Sequence, residues 1–138
     1  PAAPLSQIDI VSVVKLDDVI ESKDQKIIFM IDTEGSELDV LKGAISIISG
    51  KIKHYFIIEL WDPLSSDTLD TNGKNFSDVF EFMESEGYTG WKIDEKNGEL
   101  FEPTFNDPQV GEPLADKACF SNYLFLHTNE SHEFLFNN

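Results

Sequence analysis

Two hydrophobic rhythms alternate along the chain. Ile27 to Ile31 is a continuous apolar run that ends at Asp32, and Leu38, Leu41, Ala44, Ile45 and Ile48 then recur at offsets of three and four. Lys26–Leu41 is therefore predicted as strand, sharp turn and helix, because a buried strand needs a short apolar run and a helix needs a single apolar stripe. The helix is expected from Ser36 to Ser49, with a kink at Gly43 and a stop at Gly50. Upstream, Ile8, Ile10, Ser12 and Val14 alternate with Asp9, Val11 and Val13 as in a strand, and Leu16 to Ile20 suits a short helix. Downstream, His54 to Leu60 reads as a central strand buried on both faces. Phe76, Val79, Phe80 and Met83 define a helix with Asn75 as its N-cap and Gly87 as its stop. Tyr88 to Ile93 is a strand, and Asn97-Gly98 ahead of Leu100-Phe101 signals a two-residue hairpin. Asn122 to His127 is the last strand, while Asp62–Asn75 and Pro103–Lys117 read as loops.

Strands separated by helices make an α/β domain with a mostly parallel sheet, finished here by an antiparallel hairpin and a terminal strand. The length of 138 residues suits a single domain over 1–138, and no repeat or linker divides it.

Charge narrows the partners. Asp and Glu number 26 against ten basic residues, all of them Lys, for a formal charge of −16. Phosphate backbones and anionic lipids select for Lys and Arg clusters, so neither nucleic acid nor a membrane surface is expected as a partner. Without Arg there is no bidentate fork for an anionic substrate. Cys119 is the lone cysteine, which excludes an internal disulfide, and it reads as a small core residue. No window has the apolar length of a membrane span, and Pro1-Ala2-Ala3-Pro4 lacks the basic and apolar regions of a signal peptide, so a cytoplasmic location is expected.

The candidate chemistry sits where the first long run ends. Asp32, Glu34 and Glu37 fall within six residues at the carboxyl end of a strand, the end at which open α/β sheets bind ligands. Glu59 ends the neighbouring strand, so Asp32, Glu34 and Glu59 are expected to converge. Three carboxylates with no cationic partner suit either a divalent metal, Mg2+ or Ca2+, or a polyhydroxyl substrate held by hydrogen bonds. Glu37 lies in the first helical turn, where an anion is favoured by the helix dipole, so capping and substrate contact both remain open for it. Trp61, just past Glu59, is a candidate wall of the same crevice. Neither a Gly-x-Gly-x-x-Gly turn nor another phosphate-cradling loop occurs, and Asp70-x-Asn72-Gly73 fails as a calcium loop because Thr68 and Val79 would stand at its two ends.

These residues resemble a known family. Leu16-Asp17-Asp18, then Ile31-Asp32-Thr33-Glu34-Gly35-Ser36-Glu37-Leu38-Asp39-Val40-Leu41-Lys42-Gly43-Ala44, then Ile57-Ile58-Glu59-Leu60, Gly87-Tyr88 and Asn122-Tyr123-Leu124-Phe125 are similar, in that order, to the FkbM-type S-adenosylmethionine-dependent methyltransferases. The resemblance implies a Rossmann-like methyltransferase sheet, S-adenosylmethionine as cofactor, and methyl transfer to an oxygen of a small molecule or sugar. Asp32 and Glu34 are then the candidate catalytic carboxylates, Asp32 to orient or deprotonate the acceptor hydroxyl, and Glu37, Glu59 and Trp61 the substrate contacts. The family's Gly-rich cofactor turn and its ribose-binding acid have no counterpart here, so the chain looks like the C-terminal half of the domain and its cofactor-binding residues are unassigned. The rival reading is a non-catalytic remnant or partner-binding module. A half-sheet leaves one edge of the strand Lys26–Asp32 unpaired, which predicts either an upstream domain on that edge or self-association.

Overall fold

The computed structural model describes residues 11–21, 24–61, 71–94, 96–103 and 120–130. In order these form α1 (Leu16–Val19), β1 (Ile28–Ile31), α2 (Glu37–Lys42), α3 (Ile45–Ile48), β2 (Tyr55–Trp61), α4 (Thr71–Ser85), β3 (Tyr88–Ile93), β4 (Leu100–Phe101) and β5 (Phe120–His127). The strands make one sheet in the order β1-β2-β5-β3-β4. The α/β class expected from the sequence holds, but the sheet is mixed rather than mostly parallel. Among the described residues only β1 and β2 pair in parallel, and the pairings β2–β5, β5–β3 and β3–β4 are antiparallel. The reason lies in β5, whose Tyr123-Leu124-Phe125-Leu126 is buried throughout and so takes a central place between β2 and β3. It separates two strands that run the same way by one that runs against both.

One face of the sheet carries the core. Phe29 and Ile31 of β1, Phe56, Ile58 and Leu60 of β2, and Tyr123 and Phe125 of β5 share a buried cluster with Leu41, Ala44 and Ile48 and with Phe76, Val79, Phe80 and Met83 of α4. Aromatic rings form much of it: Phe29 stacks on Phe56 at 5.1 Å, Phe56 meets Tyr88 edge-on at 5.5 Å, and Phe80 lies 4.9 Å from Phe125. These separations fall in the range at which ring pairs add to simple burial. Gly90 makes the last contact possible, since a Cβ there would stand 2.5 Å from Phe80 and 2.7 Å from Phe125.

Several boundaries shift from expectation for local reasons. The helix expected over Ser36–Ser49 is two short helices broken at Gly43-Ala44, and the break turns the stripe so that Ile47 is buried while Ile45 is exposed. Asp17 stabilises the second piece: its carboxylate accepts the N–H groups of Ser46 (3.0 Å) and Ile47 (3.1 Å), and its own N–H donates to the Gly43 carbonyl. β2 is half-buried at Tyr55, Ile57 and Glu59, so it alternates rather than being enclosed on both faces. α4 begins at Thr71, which places Asn75 inside the helix instead of at its cap. The hairpin forms with Ile93 opposite Leu100, so its connection is longer than the two residues Asn97-Gly98, and Gly98, at φ 74°, donates its N–H to the Asp94 carbonyl. Val11 to Lys15 has no regular structure, and the rest of the strand expected from Ile8, most of the Asp62–Asn75 and Pro103–Lys117 loops, and Cys119 lie outside the described residues. Among the described residues no helix is long and apolar enough to cross a membrane.

Behind β1 and β2, His54 is 2% exposed and its Nδ1 accepts the Ile27 N–H at 3.2 Å. Burial holds its pKa below the usual 6.5, so the fold keeps the ring neutral. Replacing Gly90 with Ala is expected to lower stability by about 1–3 kcal/mol in urea denaturation, because the two rings cannot both retreat in a close-packed core.

Candidate functional site

The turn between β1 and α2 is built on a carboxylate that points inward. Glu37 is 2% exposed. Its Oε1 accepts the Thr33 N–H, the Thr33 hydroxyl and the Gly35 N–H, each at 3.0 Å, and its Oε2 accepts Asn75 Nδ2 at 2.6 Å. Burial pushes its pKa up, but the donors from Gly35, its own N–H, Asn75 and Thr33 outweigh that and hold it below the ordinary 4.5. A buried ionised carboxylate is tolerable here because its oxygens are surrounded by donors. Consecutive residues Glu34 (φ 53°) and Gly35 (φ 108°) adopt positive φ, so neighbouring N–H groups converge on one point. Such a concavity binds anions, and in this chain Glu37 occupies it.

Placing Glu37 inside forces the other acids out. Asp32 and Glu34 are exposed, Glu59 is half-buried two residues before the end of β2, and one oxygen from each lies within 4.8 Å of the others. The expected convergence of Asp32, Glu34 and Glu59 is therefore seen, while Glu37 stands apart, turned into the turn and α4. Trp61 is the last residue of β2, and its side chain lies outside the described residues. Glu34 holds a left-handed conformation that costs a non-glycine residue of order 1 kcal/mol, a cost met by the Glu37 network on either side of it.

Chemically, the cluster is three oxygen acceptors at the carboxyl ends of two parallel strands, suited to hydroxyl donors or to a cation. A Mg2+ or Ca2+ ion would take these oxygens but would draw the rest of its six or more ligands from water at so open a place. S-adenosylmethionine fits the cluster only through its cationic and hydroxyl-bearing parts. Its carboxylate finds no receptor in this turn, since Glu37 already fills the N–H concavity, and Lys26 lies at the opposite end of β1, bound to Glu130 at 2.7 Å. No step is therefore assigned to the cofactor on these residues.

Two contributors were not visible as such in the sequence. Asn75 had the signature of a helix cap, and nothing local marks it as a donor to a residue 38 positions away. Thr33 could have been found, since Thr-x-Gly-x-Glu puts two backbone donors and a hydroxyl within reach of one carboxylate.

Replacing Glu37 with Ala removes the acceptor of four hydrogen bonds, and is expected to cost about 3–5 kcal/mol. The pH dependence carries the same signature. The lowered pKa of Glu37 gives stability that is present above its unfolded value near 4.5 and is lost as pH falls through the lower folded value. The lowered pKa of His54 acts earlier, with stability falling as pH drops below 6.5, where the unfolded ring takes a proton first. Denaturation series between pH 8 and about pH 3 are expected to show both declines, and His54→Gln to reduce the first, to which His127, its pKa also lowered by burial, contributes as well.

Residues 4–89, more than half of the chain, match the family model described as the methyltransferase FkbM domain. No curated protein and no solved structure matches the chain.

Proposed function

The chain belongs to the FkbM methyltransferase family, and on that premise we propose that it supplies the acceptor side of an O-methyl-transfer site for a hydroxylated small molecule or sugar. The observation that carries this reading is the meeting of Asp32, Glu34 and Glu59 within 4.8 Å at the ends of β1 and β2. S-adenosylmethionine, bound largely by residues other than these, supplies the methyl group. The residues of this chain handle the acceptor. Asp32 would accept a hydrogen bond from the acceptor hydroxyl, orient that oxygen, and hold the proton it gives up. Glu34 and Glu59 accept from neighbouring hydroxyls, which sets the orientation of the ring or chain that bears the nucleophile. An anionic acceptor is disfavoured by the same three charges, so polyols and neutral sugars are the favoured class.

The test is methyl transfer from labelled S-adenosylmethionine to a panel of neutral polyols and sugars, using a protein in which this segment is joined to a cofactor-binding half. Asp32→Asn is expected to lower kcat by about 100-fold to 10,000-fold, the range lost with a general base. Glu34→Gln is expected to raise KM more than it lowers kcat, with folding checked by circular dichroism for both. Undiminished turnover in Asp32→Asn would overturn the assignment. The isolated 138-residue chain is expected not to bind S-adenosylmethionine in calorimetric titration, and binding there would show that the cofactor's site lies within these residues after all.

A further inference from the structure

Glu34 is the member of the acidic cluster that the sheet does not hold. The β1–β2 ladder runs as far as Ile31 beside Ile58, so Asp32 and Glu59, each one position further on, are carried to their places by strand backbone. Glu59 is also paired with Asn122 of β5. Glu34 lies two residues beyond Asp32, in a left-handed conformation at φ 53° that costs a non-glycine residue free energy. Its carboxylate nonetheless reaches within 4.8 Å of the other two. A support outside the ladder must hold it there.

That support is the carboxylate of Glu37. The Thr33 N–H before Glu34 and the Gly35 N–H after it both donate to Oε1, each at 3.0 Å, so one oxygen brackets Glu34 from both sides. These donors move with the turn, and they fix its shape rather than its direction. A carboxylate is planar and its two oxygens are rigidly joined, so whatever holds Oε2 aims Oε1. Oε2 is held by Asn75 Nδ2 at 2.6 Å, a charge-assisted bond that comes from α4. The orientation of the amide follows from its partner, because an ionised carboxylate only accepts and the amide nitrogen alone can donate to it. Phe76, Val79 and Phe80 follow Asn75 directly and lie in the core, so the amide is presented from a rigid element.

We propose that Asn75 is a positioning residue for Glu34, acting through Glu37: by holding Oε2 to α4 it keeps the bracket aimed so that Glu34 stands beside Asp32 and Glu59. Without the amide, a buried oxygen loses its donor, the carboxylate turns or takes a proton, and Glu34 relaxes out of its left-handed conformation. Asp32, next to the last laddered pair, stays in place. Asn75 therefore governs the acceptor contact given to Glu34 and leaves the proton-holding role of Asp32 untouched. That kinetic consequence rests on the methyl-transfer reading, whereas the coupling from Asn75 through Glu37 to Glu34 does not.

The coupling is read by NMR on the 138-residue chain. In the unsubstituted chain the Asn75 side-chain amide and the Gly35 backbone amide are expected to titrate together with the Glu37 carboxylate, below 4.5. Asn75→Ala, which suits a helix, and the isosteric Asn75→Asp, which exchanges donor for acceptor, are expected to raise the Glu37 pKa. Both are expected to move the Glu34 carbon shifts off their left-handed values while the β1 and β2 amides keep theirs. Kinetics use the protein joined to a cofactor-binding half. There Asn75→Ala is expected to raise KM for the acceptor about tenfold, the worth of one hydrogen bond to a charged group, and to change kcat by no more than about threefold. Asn75→Ala combined with Glu34→Gln is expected to match Glu34→Gln alone, since the first change acts only through the residue that the second disables. Combined with Asp32→Asn, its effect is expected to multiply, whereas a general loosening of the fold would multiply in both pairs. Circular dichroism melts check folding, and the titration of the unsubstituted chain decides the coupling even where neither variant folds. An Asn75 amide indifferent to the Glu37 titration overturns the proposal. So do unmoved Glu34 shifts in a folded Asn75→Ala, or a KM effect that multiplies with that of Glu34→Gln. A joined protein that methylates no neutral polyol or sugar overturns the methyl-transfer reading and the kinetic role with it, and the NMR shifts still decide the coupling.

Discussion

A buried carboxylate organises the part of this molecule that carries its chemistry. Glu37 gathers Thr33, Gly35 and Asn75 around its two oxygens, and those donors belong to the end of β1, the turn itself and α4. An ionised acid cannot be left in a protein interior without partners, so the turn has little choice of conformation. Two successive positive φ angles are the form that choice takes, and Gly35 is a residue that reaches φ 108° without strain. The arrangement also excludes an alternative use. A ring of N–H groups after a strand is where many α/β proteins hold a phosphate or carboxylate, and here a side chain of the protein has taken that place.

From that constraint the polarity of the site follows. With Glu37 satisfied inside, Asp32, Glu34 and Glu59 are presented outward, close enough to repel one another and close enough to share one ligand. Exposure keeps the repulsion small, since water screens charges at such separations. The remaining chemistry is that of carboxylate oxygens, open to solvent at Asp32 and Glu34. Three negative charges at one place disfavour an anionic ligand there.

Much of this was legible in the sequence where one residue's surroundings are local. The runs Ile27–Ile31, His54–Leu60 and Tyr88–Ile93 marked three strands within one or two residues, because a buried strand needs consecutive apolar positions. The meeting of Asp32, Glu34 and Glu59 was legible because parallel strands put their carboxyl ends side by side. What failed depended on distant partners. The sequence order of β5 says nothing of its insertion between β2 and β3, which is decided by where its four buried residues find two paired neighbours. Asn75 looked like a cap because capping is the local use of an asparagine, whereas its actual partner is 38 positions upstream. Ile45 and Ile47 exchanged roles through a break of two residues, which no uniform helical period can register.

The central position of β5 bears on how the chain is made. Synthesis delivers β1, β2, α4, β3 and β4 before the strand that joins them, so β2 and β3 each wait with an open edge until residues 120–127 have emerged. Phe56 and Tyr88 meet directly and α4 packs on both strands, but the backbone ladder that joins β2 to β3 is completed only by β5. The pairings of β5 with β2 and with β3 are long in sequence, a topology that folds slowly because loop closure precedes its reward. During that interval the nascent sheet offers strand edges to other chains, and the high negative charge of the polypeptide keeps those encounters apart.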